Sequence, residues 1–529
     1  MQEVSTTFDS ICFSDQVLDG DIPFGVPCLP ATEVPDVDSY FTWQEREWLK
    51  PSSFICDLPL SEAQRYDMGF FSKSLRTNQI IDNELALVPG GLTVFPRGVA
   101  LIEKFAAELR QRAASAGFLE FDYPLLWSEL LLAPFNNLFS TAQRVLCAGS
   151  GSCAQTVGSR WVLNPSGEGI TFSHWKNLLK QGWQLPISSF RRARYFRPGK
   201  SGKHSGRTVF NSVESGDVFE FFAGAADAES AHRRLQALIE IINATLKSWS
   251  IPIIWSIRPP WSNNFELFEW SIGGDVLLPI GRSIQVATGY SLGQKISEQY
   301  DLRAPHSGTL ASLASGSLSR RLILVHLFFG MREDGSIVHD PKWSDTKVVV
   351  LRHIDAKIST QRMREFQAEL SALGIANIEF DNLESEELSR ERTRLRRDST
   401  PIIIQIPRGS SRCILSRSDS HLIAEFEFDS GSSTSIQKLL RDMSAEFKLR
   451  AQRSLAARFV SAATEEEALA ALRAGMLVSM PCCTTKACAT KVASWKCGEM
   501  LGWTQSNTEQ RCAISGKVSD TSAILARRV

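Results

Sequence analysis

The sequence predicts an α+β protein in which a large antiparallel domain is followed by a small α/β domain and a small, cysteine-containing α/β C-terminal domain. Between residues 160 and 301, strands of mixed alternation are interrupted by a helix instead of alternating strictly with helices, which is typical of an antiparallel sheet. After Pro341, short buried strands alternate with amphipathic helices, which indicates a separate α/β domain. Five of the eleven cysteines lie beyond residue 480 and mark the last domain.

Composition and charge limit the possible function classes. The chain has 529 residues, of which 43% are hydrophobic and 22% are charged, and this composition excludes disorder over most of its length. At roughly 100–200 residues per domain, the length allows several domains. Lysine plus arginine and aspartate plus glutamate number 58 each, so any nucleic-acid surface must be local.

The N-terminus, the apolar runs and the cysteine spacing predict a cytoplasmic location. The N-terminus lacks a basic region followed by an apolar stretch and does not resemble a signal peptide. The longest apolar run, Leu322–Met331, is about half of the roughly 20 residues that cross a bilayer, so we expect no membrane span. The irregular spacing of the cysteines indicates a reducing compartment.

The first 343 residues are predicted to form an appendage and a large domain. Residues 1–64 are acidic and rich in proline, which favours extended segments over a long helix. In the domain over residues 65–343, the helix at residues 99–116 has apolar positions three and four apart and ends at Gly117. The same periodicities predict strands at residues 87–95 and 118–127, and helices at residues 230–248 and 319–329.

Two further domains are predicted at residues 344–455 and 456–529. The first begins with a buried strand at residues 347–352 and an amphipathic helix at residues 360–373. Mixed charges over residues 384–398 favour a solvated helix. The other predicted elements are strands at residues 377–380, 401–406 and 476–480, and helices at residues 435–458 and 465–474.

Two basic clusters in the large domain indicate a phosphate-binding site. One runs from Arg191 to Arg197 and the other from Lys200 to Arg207, on a predicted strand–loop–strand. Guanidinium groups match phosphate oxygens in geometry and stabilise the charge that shifts during a displacement at phosphorus. A solvated hairpin tip is the alternative interpretation.

Several segments together resemble class II aminoacyl-tRNA synthetases, in particular a divergent paralogue of the archaeal and eukaryotic type of prolyl-tRNA synthetase. The resemblance covers roughly residues 80–529 and is carried by Pro165–Glu168, Arg194–Phe196, Arg207–Phe210, Gly281–Gln294 and Gly316–Ile323. In the most specific of these, Gln285 and Thr288 need a bend or bulge to face one ligand, because a regular strand would place them on opposite faces. Without the resemblance, this segment would be interpreted as a buried strand with two hydrogen-bonded polar residues.

The resemblance implies an antiparallel class II catalytic domain that activates an amino acid with ATP and Mg²⁺. As catalytic residues it implies Arg194 on the α-phosphate and Arg321 on the ATP tail. The implied ATP-binding residues are these two together with Arg207, Thr208, Gln285, Thr288 and Ser319. The implied amino-acid-binding residues are Ser166, Glu168, Val213, Ser215, Asp217 and Tyr290, with Glu168 on the substrate's amino group.

The chain departs from the family at positions that would select the substrate. Phe196 stands where the family has an adenine-reading glutamate, and Asp217 and Tyr290 stand where it has histidines. Such exchanges should change which amino acid fits, so we expect proline to be a poor substrate. In the alternative interpretation, Asp217 points away from the pocket and pairs with an arginine.

The resemblance also implies partners. Residues 344–455 resemble an anticodon-binding domain, so tRNA is the implied acceptor, with a small molecule or carrier of a specialised pathway, or a non-catalytic pseudo-synthetase, as alternatives. Five arginines in this domain have two interpretations. They bind a phosphate backbone without recognising bases, or they form a solvated charged face: Arg390, Arg392, Arg394, Arg396 and Arg397. The segment Gly117–Pro124 resembles the family's dimerisation strand and implies a homodimer.

Cysteines in the tail resemble the zinc ligands of the family's C-terminal domain. Three of the four ligand positions are Cys483, Cys488 and Cys512, and the fourth is Ile514. Either Cys482 or Cys497 is a candidate substitute, because four thiolates would close a structural Zn²⁺ site. Buried free thiols are the alternative.

Overall fold

The computed structural model describes residues 68–82, 92–132, 161–196, 214–258, 268–420, 423–427 and 431–529. The α+β class predicted from the sequence is confirmed. The predicted appendage at residues 1–64 and most of the strand predicted at residues 87–95 lie outside the described residues. Among the residues that are described, no helix is both long enough and apolar enough to span a bilayer.

The first region, up to residue 343, contains the longest strands. Its helices are α1 (Met68–Thr77), α2 (Pro96–Ser115), α3 (Glu168–Lys180), α4 (Ala228–Ser248), α5 (Lys295–Tyr300) and α6 (Arg321–Phe329). Its strands are β1 (Ile81–Asp82), β2 (Thr93–Val94), β3 (Leu119–Glu120), β4 (Leu126–Ser128), β5 (Trp161–Leu163), β6 (Ile187–Phe196), β7 (Glu214–Ala225), β8 (Ile254–Ile257), β9 (Trp270–Leu278), β10 (Arg282–Gly293) and β11 (Ser312–Ser319).

The second region is a five-stranded sheet with helices. Its elements are β12 (Val348–His353), α7 (Thr360–Ala372), β13 (Asn377–Leu383), α8 (Ser385–Arg397), β14 (Ile402–Ile406), β15 (Arg412–Arg417), β16 (Ile423–Glu427) and α9 (Ser432–Ala456). The predicted α/β order is present, because β12 pairs in parallel with both β13 and β14. The antiparallel strands β15 and β16 were not predicted from the sequence.

The third region joins the sheet of the first. Its elements are β17 (Phe459–Ser461), α10 (Glu465–Arg473), β18 (Leu477–Pro481), α11 (Lys486–Ala493), β19 (Glu499–Arg511) and β20 (Val518–Ala526). Within the described part of the chain, one sheet runs in the order β17-β18-β20-β19-β8-β9-β10-β11-β7-β6-β3. The predicted divisions after residues 343 and 455 stay predictions.

Gly502 allows the first and third regions to meet. Strand β19 pairs with β8 where Trp503 lies opposite Ile257. A Cβ on Gly502 would lie 2.1 Å from the carbonyl oxygen of Ile257, so the strands approach this closely only because residue 502 has no side chain.

The two faces of β7 have different neighbours. On one face, Phe219 packs against Phe105 of α2 with ring centroids 5.3 Å apart. On the other, Phe222 contacts Phe172 of α3 at 5.6 Å. Because side chains alternate along a strand, Val218, Glu220 and Phe222 share the α3 face, and Asp217, Phe219 and Phe221 share the α2 face.

Two predictions about local structure were wrong. The strand predicted over residues 118–127 is two short strands, β3 and β4, separated by a segment that contains Pro124, which cannot donate a ladder hydrogen bond. Helix α3 was missed, because its aromatic and β-branched residues favour strands by propensity. Burial of Phe172 and Trp175 against the sheet and α5 stabilises the helix instead.

Candidate active site

A cavity of about 450 Å³ opens on the α3 face of the sheet. It lies between the start of α3, strands β6, β7, β10 and β11, and the start of α6. Six of the residues that the resemblance implies line it together, namely Glu168, Gln285, Thr288, Tyr290, Ser319 and Arg321. Segments that are more than 150 residues apart in sequence thus meet in one site.

A bulge in β10 brings Gln285 and Thr288 to the same cavity. The register against β9 shifts between Gln285 and Ala287, which provides the bend that the three-residue spacing requires. The hydroxyl of Thr288 is hydrogen-bonded to that of Ser317 on β11 at 2.8 Å. Because Ser317 also lines the cavity, this pair forms a polar surface between two strands.

The end of β11 supplies Ser319 and Arg321. Strand β11 ends at Ser319 and α6 begins at Arg321, so the two residues sit at a strand-to-helix turn. The Ser319 hydroxyl accepts a hydrogen bond from the Arg321 backbone N–H at 3.3 Å. This places a cationic side chain at the edge of the cavity, where an anionic ligand group would be favoured.

Glycine is required beside Glu168. The first residue of α3 is Glu168, and Gly167 precedes it as the N-cap. A Cβ on Gly167 would lie 2.1 Å from Oε2 of Glu220, so a side chain there would collide with that carboxylate. The loop is tied to β6, because Phe196 donates its N–H to the carbonyl of Asn164 and the Asn164 side-chain amide donates to the carbonyl of Arg194.

Three implied residues do not line the cavity. Ser166 lies in the loop before α3, outside the lining. Arg194 is exposed, and it precedes Tyr195, which does line the cavity, so the two side chains leave β6 on opposite faces. The third is Asp217, which lies on the α2 face of β7.

The placement of Asp217 corrects its predicted role in the amino-acid pocket. Its carboxylate accepts a hydrogen bond of 2.9 Å from Nε of Arg192, and Arg192 also binds Glu103 of α2. Arg320 lies 3.9 Å from its other oxygen. The interpretation in which this carboxylate points away and pairs with an arginine is therefore the one observed.

Four implied residues cannot be placed. Arg207, Thr208 and Val213 lie outside the described residues, and for Ser215 only the backbone of β7 is described. Their assignment stays a prediction.

Sequence reasoning assigned no site role to several polar residues of the cavity wall. Tyr195 and Glu220 both line the cavity, and Arg191 lies 3.4 Å from a Glu220 carboxylate oxygen. Burial raises the pKa of Tyr195, which keeps its hydroxyl protonated. The alternation of residues along β7 was a usable signal, since it separates Glu220 from Asp217 and groups it with Val218 and Phe222.

We expect Asp217→Asn to lower the melting temperature without changing which amino acid is used. The substitution leaves Arg192 and Arg320 without their shared carboxylate, and breaking a buried ion pair typically costs about 3–5 kcal/mol. Thermal unfolding and a screen of amino-acid-dependent activity would measure the two effects. A changed amino-acid preference in a stably folded variant would return this residue to the pocket.

Three buried thiols cluster in the third region. Among the described residues, the sulfur atoms of Cys483, Cys488 and Cys512 all lie within 4.8 Å of one another. Cys488 is 3.4 Å from Cys483 and 3.8 Å from Cys512. Tetrahedral zinc with Zn–S bonds of about 2.3 Å separates its sulfurs by about 3.8 Å, so the three thiols fit three corners of such a site. The Ser515 hydroxyl lies 3.5 Å from the Cys483 sulfur.

Comparisons with known proteins agree with the geometry. No family model matches the chain. It is 23% identical over 233 residues to a proline–tRNA ligase of Methanopyrus kandleri, an alignment that spans 44% of this chain and 47% of the relative. It is 23% identical over 359 residues to that of Pyrobaculum aerophilum, across 65% and 72% of the two chains. It is 24% identical over 477 residues to the proline–tRNA ligase of Saccharolobus islandicus, an alignment that spans 86% of this chain and 93% of the relative.

A solved structure has the same fold. The Giardia lamblia prolyl-tRNA synthetase in complex with prolyl-adenylate superposes with a TM-score of 0.74 and 18% identity, covering 89% of this chain and 99% of that one. The fold class that the resemblance implied is therefore confirmed. In sequence and in fold, the chain is therefore similar to prolyl-tRNA synthetases of class II.

Proposed function

We propose that the chain activates an amino acid with ATP and transfers the aminoacyl group to an acceptor, as a ligase of the proline–tRNA ligase type. The observation that carries this proposal is the convergence of Glu168, Gln285, Thr288, Ser319 and Arg321 in one cavity. Those residues combine one carboxylate for an amino group with hydroxyl, amide and guanidinium groups for a nucleotide.

The chemistry requires positioning rather than a side-chain nucleophile. The substrate carboxylate attacks the α-phosphorus of ATP and pyrophosphate leaves, so the site has to orient two ligands and stabilise charge. Glu168 would bind the substrate's ammonium group, and Arg321 would bind the triphosphate tail. When bound, Mg²⁺ would neutralise phosphate charge.

Amino-acid-dependent exchange of labelled pyrophosphate into ATP, screened over the twenty amino acids, tests the proposal. We expect exchange with at least one amino acid. Tyr290 stands where the resemblance implies a histidine, and the Glu220 carboxylate also lines the cavity, so we expect an amino acid other than proline to give the fastest exchange. No exchange with any amino acid would favour a pseudo-synthetase.

The acceptor that we propose is tRNA. Helix α8 carries the exposed residues Arg390, Arg394, Arg396 and Arg397 beside the sheet of the second region. Phosphate contacts by such residues would hold a nucleic-acid backbone without identifying its bases. Arg394 already pairs with Glu391 and Asp398, which favours the alternative of a solvated charged face for this helix. Charging assays on total tRNA would distinguish the two.

The oligomeric state and the location belong to the same proposal. Strand β3 lies at the edge of the large sheet, and Leu119 on it is 49% exposed. A symmetric homodimer would cover this edge. We expect light scattering to give a molecular mass of twice the chain mass of 58.8 kDa. We propose a cytoplasmic location, which the irregular spacing of the cysteines supports.

We further propose that Cys483, Cys488 and Cys512 bind one Zn²⁺ ion. Removing the central ligand by Cys488→Ser should abolish zinc binding and lower the melting temperature, because metal binding to a folded site stabilises the fold. Elemental analysis of the purified protein measures the zinc content. The matched control is Cys413→Ser, a buried cysteine of the second region that lies outside the cluster. Wild-type protein purified with zinc and found to contain none would contradict the proposal.

A further inference from the structure

A buried arginine lies behind the cavity wall. Arg258 follows β8, and its side chain is 3% exposed. The guanidinium lies directly over Gly273 of β9, where a Cβ would come within 1.9 Å of Nε. Strand β9 therefore has a glycine at the one position that the guanidinium covers.

The guanidinium of Arg258 connects three separate parts of the chain. It forms an ion pair with Asp275 of β9, with 2.6 Å between Nη2 and Oδ2. It donates to the carbonyl oxygen of Leu501 in β19 at 2.5 Å. It also donates to Oε1 of Gln285 in β10 at 3.1 Å. Arg528, which lines the cavity, lies 3.3 Å from the other oxygen of Asp275.

This arrangement fixes the orientation of the Gln285 amide. An arginine has five N–H donors and no acceptor, so the amide group must turn its oxygen toward Arg258. The amide NH₂ then faces the cavity that Gln285 lines. The Gln285 amide therefore presents a hydrogen-bond donor to the cavity. A ligand atom that binds this NH₂ group must be an acceptor, such as a phosphate or ribose oxygen.

We propose that Arg258, held by Asp275 and by the backbone of β19, is a positioning residue that presents the Gln285 amide as a donor to a bound nucleotide. The inference rests on the proposed function, since it needs a nucleotide in the cavity. It also makes the third region a support of the site, because the Leu501 carbonyl fixes the guanidinium from that side. No contact between Arg258 and the nucleotide itself is required.

A double-mutant cycle on ATP affinity tests the proposal. The full-length wild type, Arg258→Lys, Gln285→Ala and the double variant are titrated with ATP and Mg²⁺ by calorimetry, and the melting temperature of each is measured. Lysine keeps a cation near Asp275 but cannot bind three acceptors in a fork. We expect each single substitution to weaken ATP binding about tenfold, and the double variant to bind no more weakly than Gln285→Ala.

Two further variants separate positioning from stability. Gln285→Glu gives Arg258 a better partner but presents no donor to the cavity, so we expect weaker ATP binding with no loss of thermal stability. Arg417→Lys is the matched control, because Arg417 has a side chain only 6% exposed and pairs with Asp419 and Glu446, and none of the three lines the cavity. We expect it to lower the melting temperature and leave ATP affinity unchanged.

The possible results discriminate between the proposals. If the losses caused by Arg258→Lys and Gln285→Ala are additive, or if Gln285→Glu binds ATP as well as the wild type does, the positioning role is wrong and the proposed function stands. If the wild-type protein does not bind ATP at all, both are wrong. If Arg258→Lys does not fold, Gln285→Glu still tests the proposal, because ATP binding by that variant at the wild-type affinity would overturn it.

Discussion

Arg321→Ala is expected to reduce amino-acid-dependent pyrophosphate exchange by about a thousandfold or more while leaving the melting temperature unchanged. The residue begins α6 at the edge of the cavity, where water is partly excluded and a guanidinium on phosphate is worth several kcal/mol. Arg321→Lys should retain part of the activity, because it keeps the charge but loses the bidentate fork.

The control for this substitution is Arg303→Ala. Arg303 is also an arginine of the first region, but it is exposed, pairs with Asp301 and does not line the cavity. We expect exchange by this variant at the wild-type rate. Unchanged exchange by folded Arg321→Ala would remove this residue from the site.

Acidification from pH 7 to pH 5 is expected to destabilise the first region by several kcal/mol. Burial lowers the pKa of His326 and of His339 to about 4, from 6.5 in the unfolded chain. Below pH 6.5 the unfolded chain binds protons that the folded chain cannot, so stability falls as the pH falls toward 4. Each histidine should contribute about 2 kcal/mol of lost stability at pH 5.

The environment of His326 explains the direction of this effect. Its ring is fully buried between Trp249 and Phe447, and Nδ1 donates to the Trp249 carbonyl at 2.8 Å. One hydrogen bond to a carbonyl does not compensate for burying an imidazolium among aromatic rings. The neutral ring is therefore the form that the fold accommodates.

Calorimetric melting at pH 7 and pH 5 measures this dependence. In His326→Gln, the loss of stability on acidification should be about half that of the wild type. His306→Gln, at an exposed position, should behave as the wild type does. Equal melting temperatures of the wild type at both pH values would show that these histidines are not buried as described.

Several candidate site residues could be named because short segments of the chain resemble the motifs of a known family. The segment Gly281–Gln294 identified Gln285 and Thr288, and the requirement for a bulge between them was deducible from strand geometry alone. The resemblance likewise grouped Cys483, Cys488 and Cys512, which do converge.

Other residues escaped prediction because their partners are distant in sequence. Arg258 looks like a solvent-exposed cation after a short strand, and only the pairing of β19 with β8 places the Leu501 carbonyl beside it. The role of Gly273 depends equally on that arginine. Contacts between residues more than 240 positions apart leave no local periodicity in the sequence.

By itself, the sequence determined the fold class, the order of the segments and the set of side chains that share a strand face. Only the tertiary structure decided which face of β6 and β7 lines the cavity. Alternation along β7 places Asp217 and Glu220 on opposite faces of the strand. The alternation does not say which of the two faces lines the cavity, because the period of two is the same in both cases. The packing of Phe219 against Phe105 of α2 fixes the orientation, which turns Asp217 toward Arg192 and Glu220 into the site.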